Sequence, residues 1–109
     1  MKIAAYQFDV SGNIMENFEK IEKAISMAKD NSVELIIFPE CALTGYPPRD
    51  IENSSCVDFE LVNTICSKLQ MLADEKEISI ILGTIYKDDA IYNRVILFQP
   101  NKKKQLALH

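Results

Sequence analysis

The residues best suited to chemistry lie in one stretch, LIIFPECALTGYPPRD, which runs from Leu35 to Asp50. An apolar run ends at Pro39, and the carboxylate of Glu40 follows directly. In open α/β sheets, functional groups cluster where strands end and the chain leaves the sheet. A carboxylate at such a place is expected to be partly desolvated, which strengthens its hold on a proton and suits general base catalysis. Glu40 is therefore a candidate base, and a solvated loop glutamate is the alternative interpretation.

The three cysteines are weaker candidates for chemistry than Glu40. Neighbouring side chains on a strand point to opposite sides, so if Glu40 faces a site, Cys41 faces the packing and is interpreted as a small buried thiol. Cys66 falls on the apolar face of a predicted helix and is assigned to the core. Cys56 lies near the start of that helix, where the dipole favours a thiolate, but no base is close in sequence. An odd count without C-x-x-C spacing indicates neither a disulfide framework nor a zinc site.

Two further polar residues are candidates for the site. Tyr46 follows Thr44 and Gly45, and it either lines a pocket wall or packs on its own loop. Asn93 interrupts the largely apolar segment IYNRVILF. We interpret Asn93 as an anchor that holds a loop by side-chain hydrogen bonds.

Composition limits the classes of function. The chain has 109 residues, a net charge of −4 and a pI near 4.9. Phosphate binding needs clustered basic residues, so no nucleic-acid partner is expected, and Lys102 to Lys104 are interpreted as a solvated turn. The single histidine, His109, argues against a metal site. No leader pattern or apolar run of about 20 residues is seen, so a cytoplasmic protein without a membrane partner or cofactor is expected.

The first half of the sequence predicts strand, helix and strand. Lys2 to Asp9 reads as a strand, with Ile3, Ala5 and Phe8 expected to be buried. After the turn at Ser11 to Asn13, the apolar positions Ile14, Phe18, Ile21, Ile25 and Ala28 recur at helical spacing. Val33 to Phe38 is a nearly continuous apolar run, typical of a strand covered on both faces.

The second half predicts a helix and two strands. The pattern S-x-x-D from Ser55 to Asp58 indicates a helix start, and this helix ends near Lys76. The segments Ile78 to Tyr86 and Ile91 to Gln99 predict a β-hairpin around a short turn. The order is strand-helix-strand-helix-strand-strand, an α/β class fold in one domain.

The segments AAYQF, ELIIFPE, ALTGYP, ILGTIY and YNRVILFQP occur in the order found in the carbon–nitrogen hydrolases. The chain resembles this family, the nitrilase superfamily, from Lys2 to about Gln105. The TGYPPRD loop is similar to that of the glutaminase domain of glutamine-dependent NAD synthetases.

The resemblance implies an α-β-β-α sandwich and a Glu-Lys-Cys catalytic set acting on a small linear amide. Glu40 matches the general base of the F-P-E motif, and Tyr46 matches the tyrosine that lines the substrate pocket. The family lysine would fall just beyond His109, because Lys102 to Lys104 come too early. The nucleophilic cysteine comes later still. The resemblance therefore implies that residues 1–109 are the N-terminal portion of a single domain, inactive without the rest.

Part of a sandwich is expected to leave an apolar sheet face uncovered, which favours a homo-oligomer or inclusion in a longer chain. Two alternatives to a free-standing amidase stay open. One is the glutaminase domain of an NAD synthetase, and the other is a non-catalytic remnant or interaction module with the same fold.

Overall fold

The computed structural model describes residues 1–101 and the backbone of residues 106–108. Its helices and strands, in chain order, are β1 (Ile3–Ala5), α1 (Ile14–Asp30), β2 (Leu35–Ile37), α2 (Phe59–Lys76), β3 (Ser79–Lys87), β4 (Ile91–Phe98) and β5 (Leu106–Leu108). The predicted order of the first six elements is confirmed. The short strand β5 was not predicted from the sequence.

The five strands form one sheet in the order β1-β2-β3-β4-β5. The first three strands run parallel, and β4 and β5 are antiparallel to their neighbours. Strand order advances in one direction through β3, and crossovers between parallel strands are right-handed. Both helices therefore lie on the same face of the sheet.

The helix α1 begins and ends where the sequence predicted. The side chain of Asn13 accepts a hydrogen bond from the backbone N–H of Glu16, and the N–H of Asn31 closes the last turn on Ala28 and neighbouring carbonyls. All five apolar positions predicted for its inner face are buried. The apolar stripe of α1 is thus packed against the sheet.

The helix α2 begins later than the S-x-x-D pattern indicated. Its N-cap is Asp58, whose carboxylate accepts a hydrogen bond from Leu61 N at 3.1 Å. Residues Ser54–Cys56 form a separate 3₁₀ turn capped by Asn53. The prediction that Ser55 starts the helix is therefore wrong, because Val57 has an extended backbone with ψ of 134° and separates the two elements.

The core lies between the helices and one face of the sheet. The strand residues on this face are fully or almost fully buried: Ile36, Ile80, Leu82, Ile96 and Phe98. They stand in register across β2, β3 and β4. Burial of such side chains contributes about 1.5–3 kcal/mol each, so these five residues stabilise the packing of the helices on the sheet.

The opposite side of the sheet, which we call the open face, carries Ile3, Ala5, Leu35, Ile37, Ile81, Val95 and Leu97. Ile3 and Ala5 are exposed, so the prediction that they are buried is wrong. Phe8 lies beyond β1 and is half-buried against Phe38. The prediction that β2 is covered on both faces is also wrong, because both helices pack on one side.

Candidate active site

Glu40 lies where the chain leaves the sheet. The strand β2 ends at Ile37, Phe38 N still donates to Ile81 O at 2.9 Å, and a turn begins at Glu40. The residue is thus at the carboxyl end of a parallel strand, as predicted. Glu40 is exposed, however, so the desolvation expected from the sequence is not present.

The turn at Glu40 packs directly on the backbone of β3. A Cβ atom at Gly83 would lie 2.8 Å from Cα of Glu40, 2.9 Å from N of Cys41 and 2.9 Å from O of Pro39. Such distances are below van der Waals contact, so a glycine at this position permits the close approach. The neighbouring strand thereby determines how near the carboxylate lies to the sheet.

Cys41 is buried, which confirms its interpretation as a packed thiol. Its Sγ donates a hydrogen bond to Oδ1 of Asn93 at 3.6 Å. Burial, and next the negative charge of Glu40, raise the pKa of the Cys41 thiol to about 11. The thiol therefore keeps its proton at neutral pH, and Asn93 anchors this loop as the sequence predicted.

The loop beyond Cys41 is held by its own polar groups. Tyr46 N donates to Asp50 Oδ2 at 2.9 Å, and Asp50 N donates to Tyr46 O at 2.8 Å. The guanidinium of Arg49 pairs with Asp50 at 2.9 Å. Hydrogen bonding from Arg49, and then from the Tyr46 N–H, lowers the pKa of the Asp50 carboxyl. The tyrosine is thereby fixed by its backbone while its side chain stays exposed.

Asn17 ties α1 to this loop, a contact that sequence reasoning missed. The side chain is fully buried, and its Nδ2 donates to Ser11 O at 2.7 Å and to Leu43 O at 2.8 Å. Its Oδ1 accepts from Ser11 N at 2.9 Å. The available signal was an amide placed three residues after Ile14, within the apolar stripe of the helix.

Two clefts meet at Glu40. The first, which we call the polar cleft, has a volume of about 580 Å³ and is bordered by Gln7, Asp9 and Arg49 as well as Glu40. The second, the sheet cleft, has a volume of about 450 Å³ and lies over the open face beside Cys41 and Asn93. Glu40 is thus exposed and borders both clefts, a position that suits a group that exchanges protons with a bound molecule.

Tyr46 does not share a cleft with Glu40. It borders a smaller cleft, the tyrosine cleft, together with Ile85, Tyr92 and Asn93. Asn93 also borders the sheet cleft, so it links the surroundings of Glu40 to those of Tyr46. The structure therefore brings Glu40, Cys41 and Asn93 together at the sheet cleft. Tyr46 lies at the neighbouring tyrosine cleft, which shares Asn93 with the sheet cleft.

Other candidate groups lie apart from the clefts at Glu40. Cys66 is buried in the core, and Cys56 is exposed on the 3₁₀ turn rather than at a helix start. Within residues 1–101, no group of three or more histidine, cysteine or carboxylate side chains is arranged to hold a metal ion. Lys102 to Lys104 and His109 lie outside the described residues. In the part of the chain that the structure describes, no helix is long and apolar enough to cross a membrane.

Comparison with known proteins identifies relatives by sequence. The glutamine-dependent NAD(+) synthetase of Synechocystis sp. is 31% identical over 104 residues, which cover 86% of this chain and 18% of that protein. The protein of the same name from Xylella fastidiosa is 42% identical over 53 residues, or 47% of this chain and 10% of that protein. The chain thus spans less than a fifth of the length of these curated relatives.

Solved structures show the same fold. An alanine mutant of the amidase from Nesterenkonia sp. AN1, in complex with butyramide, superposes with a TM-score of 0.81 and 23% identity, covering 98% of this chain and 41% of that one. Another structure of an amidase from this source gives a TM-score of 0.77 over 89% of the chain and 38% of that one. A third is described as an amidase from the nitrilase superfamily.

The match to a protein family extends over nearly the whole sequence. The model of the carbon-nitrogen hydrolase family matches residues 2–109. This match confirms the resemblance drawn from the FPE and TGY segments. The chain belongs to the carbon-nitrogen hydrolase family.

Proposed function

We propose that this chain is the N-terminal portion of a carbon–nitrogen hydrolase domain that acts on a small linear amide, with Glu40 as general base. The observation that carries the proposal is the position of Glu40. It is the glutamate of the FPE motif, lies at the carboxyl end of β2 and borders two clefts at once. The family's lysine and nucleophilic cysteine would be supplied by sequence beyond residue 109.

The proposed chemistry follows the family pattern of a Glu-Lys-Cys set. Glu40 takes the proton of the nucleophilic thiol, and the thiolate attacks the amide carbon. The lysine stabilises the oxyanion, ammonia leaves with a proton, and a thioester remains. Water then attacks the thioester, which releases a carboxylic acid and restores the thiol. In this scheme Cys41 is not the nucleophile, because its thiol is buried and keeps its proton.

The α-β-β-α sandwich is proposed on the same basis. The open face carries apolar side chains, and in an isolated chain part of this face is exposed to water. A second sheet packed against it would bury these residues and place new side chains at the sheet cleft. The remaining catalytic groups would then approach Glu40 from that side.

A matched pair of variants tests the role of Glu40. In the full-length enzyme, Glu40→Gln is expected to lower ammonia release from butyramide by at least about 100-fold, because general base catalysis contributes that much or more. Glu34→Gln, an exposed glutamate before the same strand, should leave the rate unchanged. Full activity of the Glu40→Gln enzyme would contradict the proposal. So would amide hydrolysis by residues 1–109 alone that is abolished by Cys41→Ala.

A narrower function is favoured by the sequence relatives. The curated matches at 31% and 42% identity are both glutamine-dependent NAD(+) synthetases. The second candidate is therefore a glutaminase domain that releases ammonia from glutamine for a synthetase domain. Ammonia release from glutamine and butyramide by the same full-length enzyme distinguishes the two candidates. A strong preference for glutamine supports the glutaminase, and a preference for butyramide supports the free-standing amidase.

A further inference from the structure

We infer that Asn93 is a positioning residue for Glu40: it holds the thiol of Cys41 and thereby fixes the turn from which Glu40 borders the polar cleft and the sheet cleft. The inference rests on the proposed function for the role given to Glu40. It goes beyond that function because it assigns a task to a residue on β4, 52 positions away from Cys41.

The β3–β4 hairpin holds the loop at two points that are adjacent in the sheet. Asn93 stands opposite Ile85 in the strand register. At Asn93, Oδ1 accepts from Sγ of Cys41 at 3.6 Å, and at Ile85 the backbone N donates to Oγ1 of Thr44 at 3.2 Å. The two hydrogen bonds hold the loop at Cys41 and at Thr44, on either side of the fully buried residues Ala42 and Leu43.

The turn at Cys41 needs such support because its backbone is strained. Cys41 has a φ of 54°, in the left-handed region that non-glycine residues rarely adopt. This conformation persists only where surrounding contacts determine it. Below the turn, the backbone of Gly83 blocks movement towards the sheet, and Gly45 N donates to Cys41 O at 2.9 Å. Asn93 supplies the side-chain restraint on the residue next to Glu40.

The contact is also placed where it affects both neighbouring clefts. Asn93 and Cys41 border the sheet cleft with Glu40, and Asn93 borders the tyrosine cleft as well. The thiol is buried and protonated at neutral pH, so it serves as a donor rather than as a reactive anion. The amide oxygen of Asn93 is the acceptor, and a variant that retains an oxygen at this point retains the restraint.

Thiol labelling of residues 1–109 tests the restraint without relying on activity. Alkylation of Cys41 by iodoacetamide, followed by mass spectrometry, should be about tenfold faster in Asn93→Leu than in the parent chain, since one hydrogen bond is lost. Asn93→Asp keeps an acceptor oxygen and should label at close to the parent rate. Cys66, buried in the core, is the internal control and should stay slow. An unchanged Cys41 rate in Asn93→Leu, or an equal rise at Cys66, would overturn the inference.

Steady-state kinetics of the full-length enzyme connect the restraint to Glu40. Asn93→Leu should lower kcat about tenfold with KM unchanged, because the loss acts on the position of the base rather than on substrate binding. Asn93→Asp should restore most of kcat. If Glu40→Gln abolishes turnover while Asn93→Leu leaves kcat unchanged, the inference fails and the proposed function stands. If Glu40→Gln is fully active, the proposed function fails, and the labelling result still decides whether Asn93 holds the turn.

Discussion

Glu40 and Cys41 are adjacent in the chain but have different environments. Glu40 is exposed at the junction of two clefts, whereas Cys41 is buried and bonded to Asn93. Cys41 has a φ of 54°, and its side chain lies inside the protein, whereas that of Glu40 lies at the surface. Adjacency in the sequence therefore does not place the carboxylate and the thiol in the same environment.

The buried thiols predict a loss of stability at alkaline pH. Burial raises the pKa of Cys41 to about 11 and that of Cys66 to about 12, from the ordinary thiol value of 9.0. Above pH 9 the unfolded chain releases these protons while the folded chain retains them, so the free energy of unfolding falls as pH rises towards 11. Urea denaturation across this range should show a shallower fall in Cys41→Ser and in Cys66→Ser. Cys56→Ser, which replaces an exposed thiol, should fall as steeply as the parent.

Replacing Asn17 is expected to lower the stability of the protein more than the small size of its side chain suggests. Asn17→Ala removes the partners of Ser11 and Leu43 in a buried place and is expected to cost about 2–4 kcal/mol of unfolding free energy. Asn63→Ala exchanges the same residue types at an exposed position of α2 and should change stability by less than about 0.5 kcal/mol. Urea denaturation measures both. Equal effects of the two substitutions would contradict the role given to Asn17.

At the scale of elements, the sequence predicted both helices because their apolar stripes recur with the helical period. It wrongly predicted which side chains of β1 are buried, because alternation along a strand does not reveal which face of the sheet is covered by the helices. Ile3 and Ala5 are as apolar as core residues, yet they lie on the side without helices. The start of α2 was misplaced because Val57, which packs against the core, has an extended backbone that the S-x-x-D pattern does not reveal.

The site was predictable only in part for the same reason. The FPE motif pointed to Glu40 because it follows an apolar strand directly. The contacts of Asn17 with Leu43 and of Cys41 with Asn93 span 26 and 52 positions. Such pairings depend on how β4 and α1 are placed against the loop, and no local pattern encodes them. The roles of Glu40 and Tyr46 in catalysis and substrate binding remain predictions.

The packing of β3 against the Glu40 turn predicts the effect of one added methyl group. Gly83→Ala places a Cβ within 2.8 Å of Cα of Glu40, so either the turn or the strand must move. We expect a cost of about 1–3 kcal/mol in unfolding free energy, as for other overpacked sites, and faster iodoacetamide labelling of Cys41. Ser79→Ala, on the same strand, is the control for the change to alanine. If Gly83→Ala matches Ser79→Ala in stability and labelling, the close approach does not constrain the turn.

At the scale of the molecule, the sheet has two unlike faces. One face is covered by α1 and α2. On the open face, Ile3 is 56% exposed and Val95 is 42% exposed. Both residues lie on the open face, and exposed apolar area of this kind is costly to leave in water. In the full domain proposed above, a second sheet would cover it. For residues 1–109 in isolation, a second copy of the chain is the partner that is always available.

We therefore expect residues 1–109 to sediment as a dimer or larger species in analytical ultracentrifugation. Ile3→Lys and Val95→Lys together should shift the chain towards monomer, because a charged ammonium on the open face resists burial. Met27→Lys and Met71→Lys place the same charges on exposed helix positions, 54% and 66% exposed, and should leave the assembly unchanged. Since all four residues are at the surface, folding should be little affected in either pair. A stable monomer of the unaltered chain would show that the open face does not drive association.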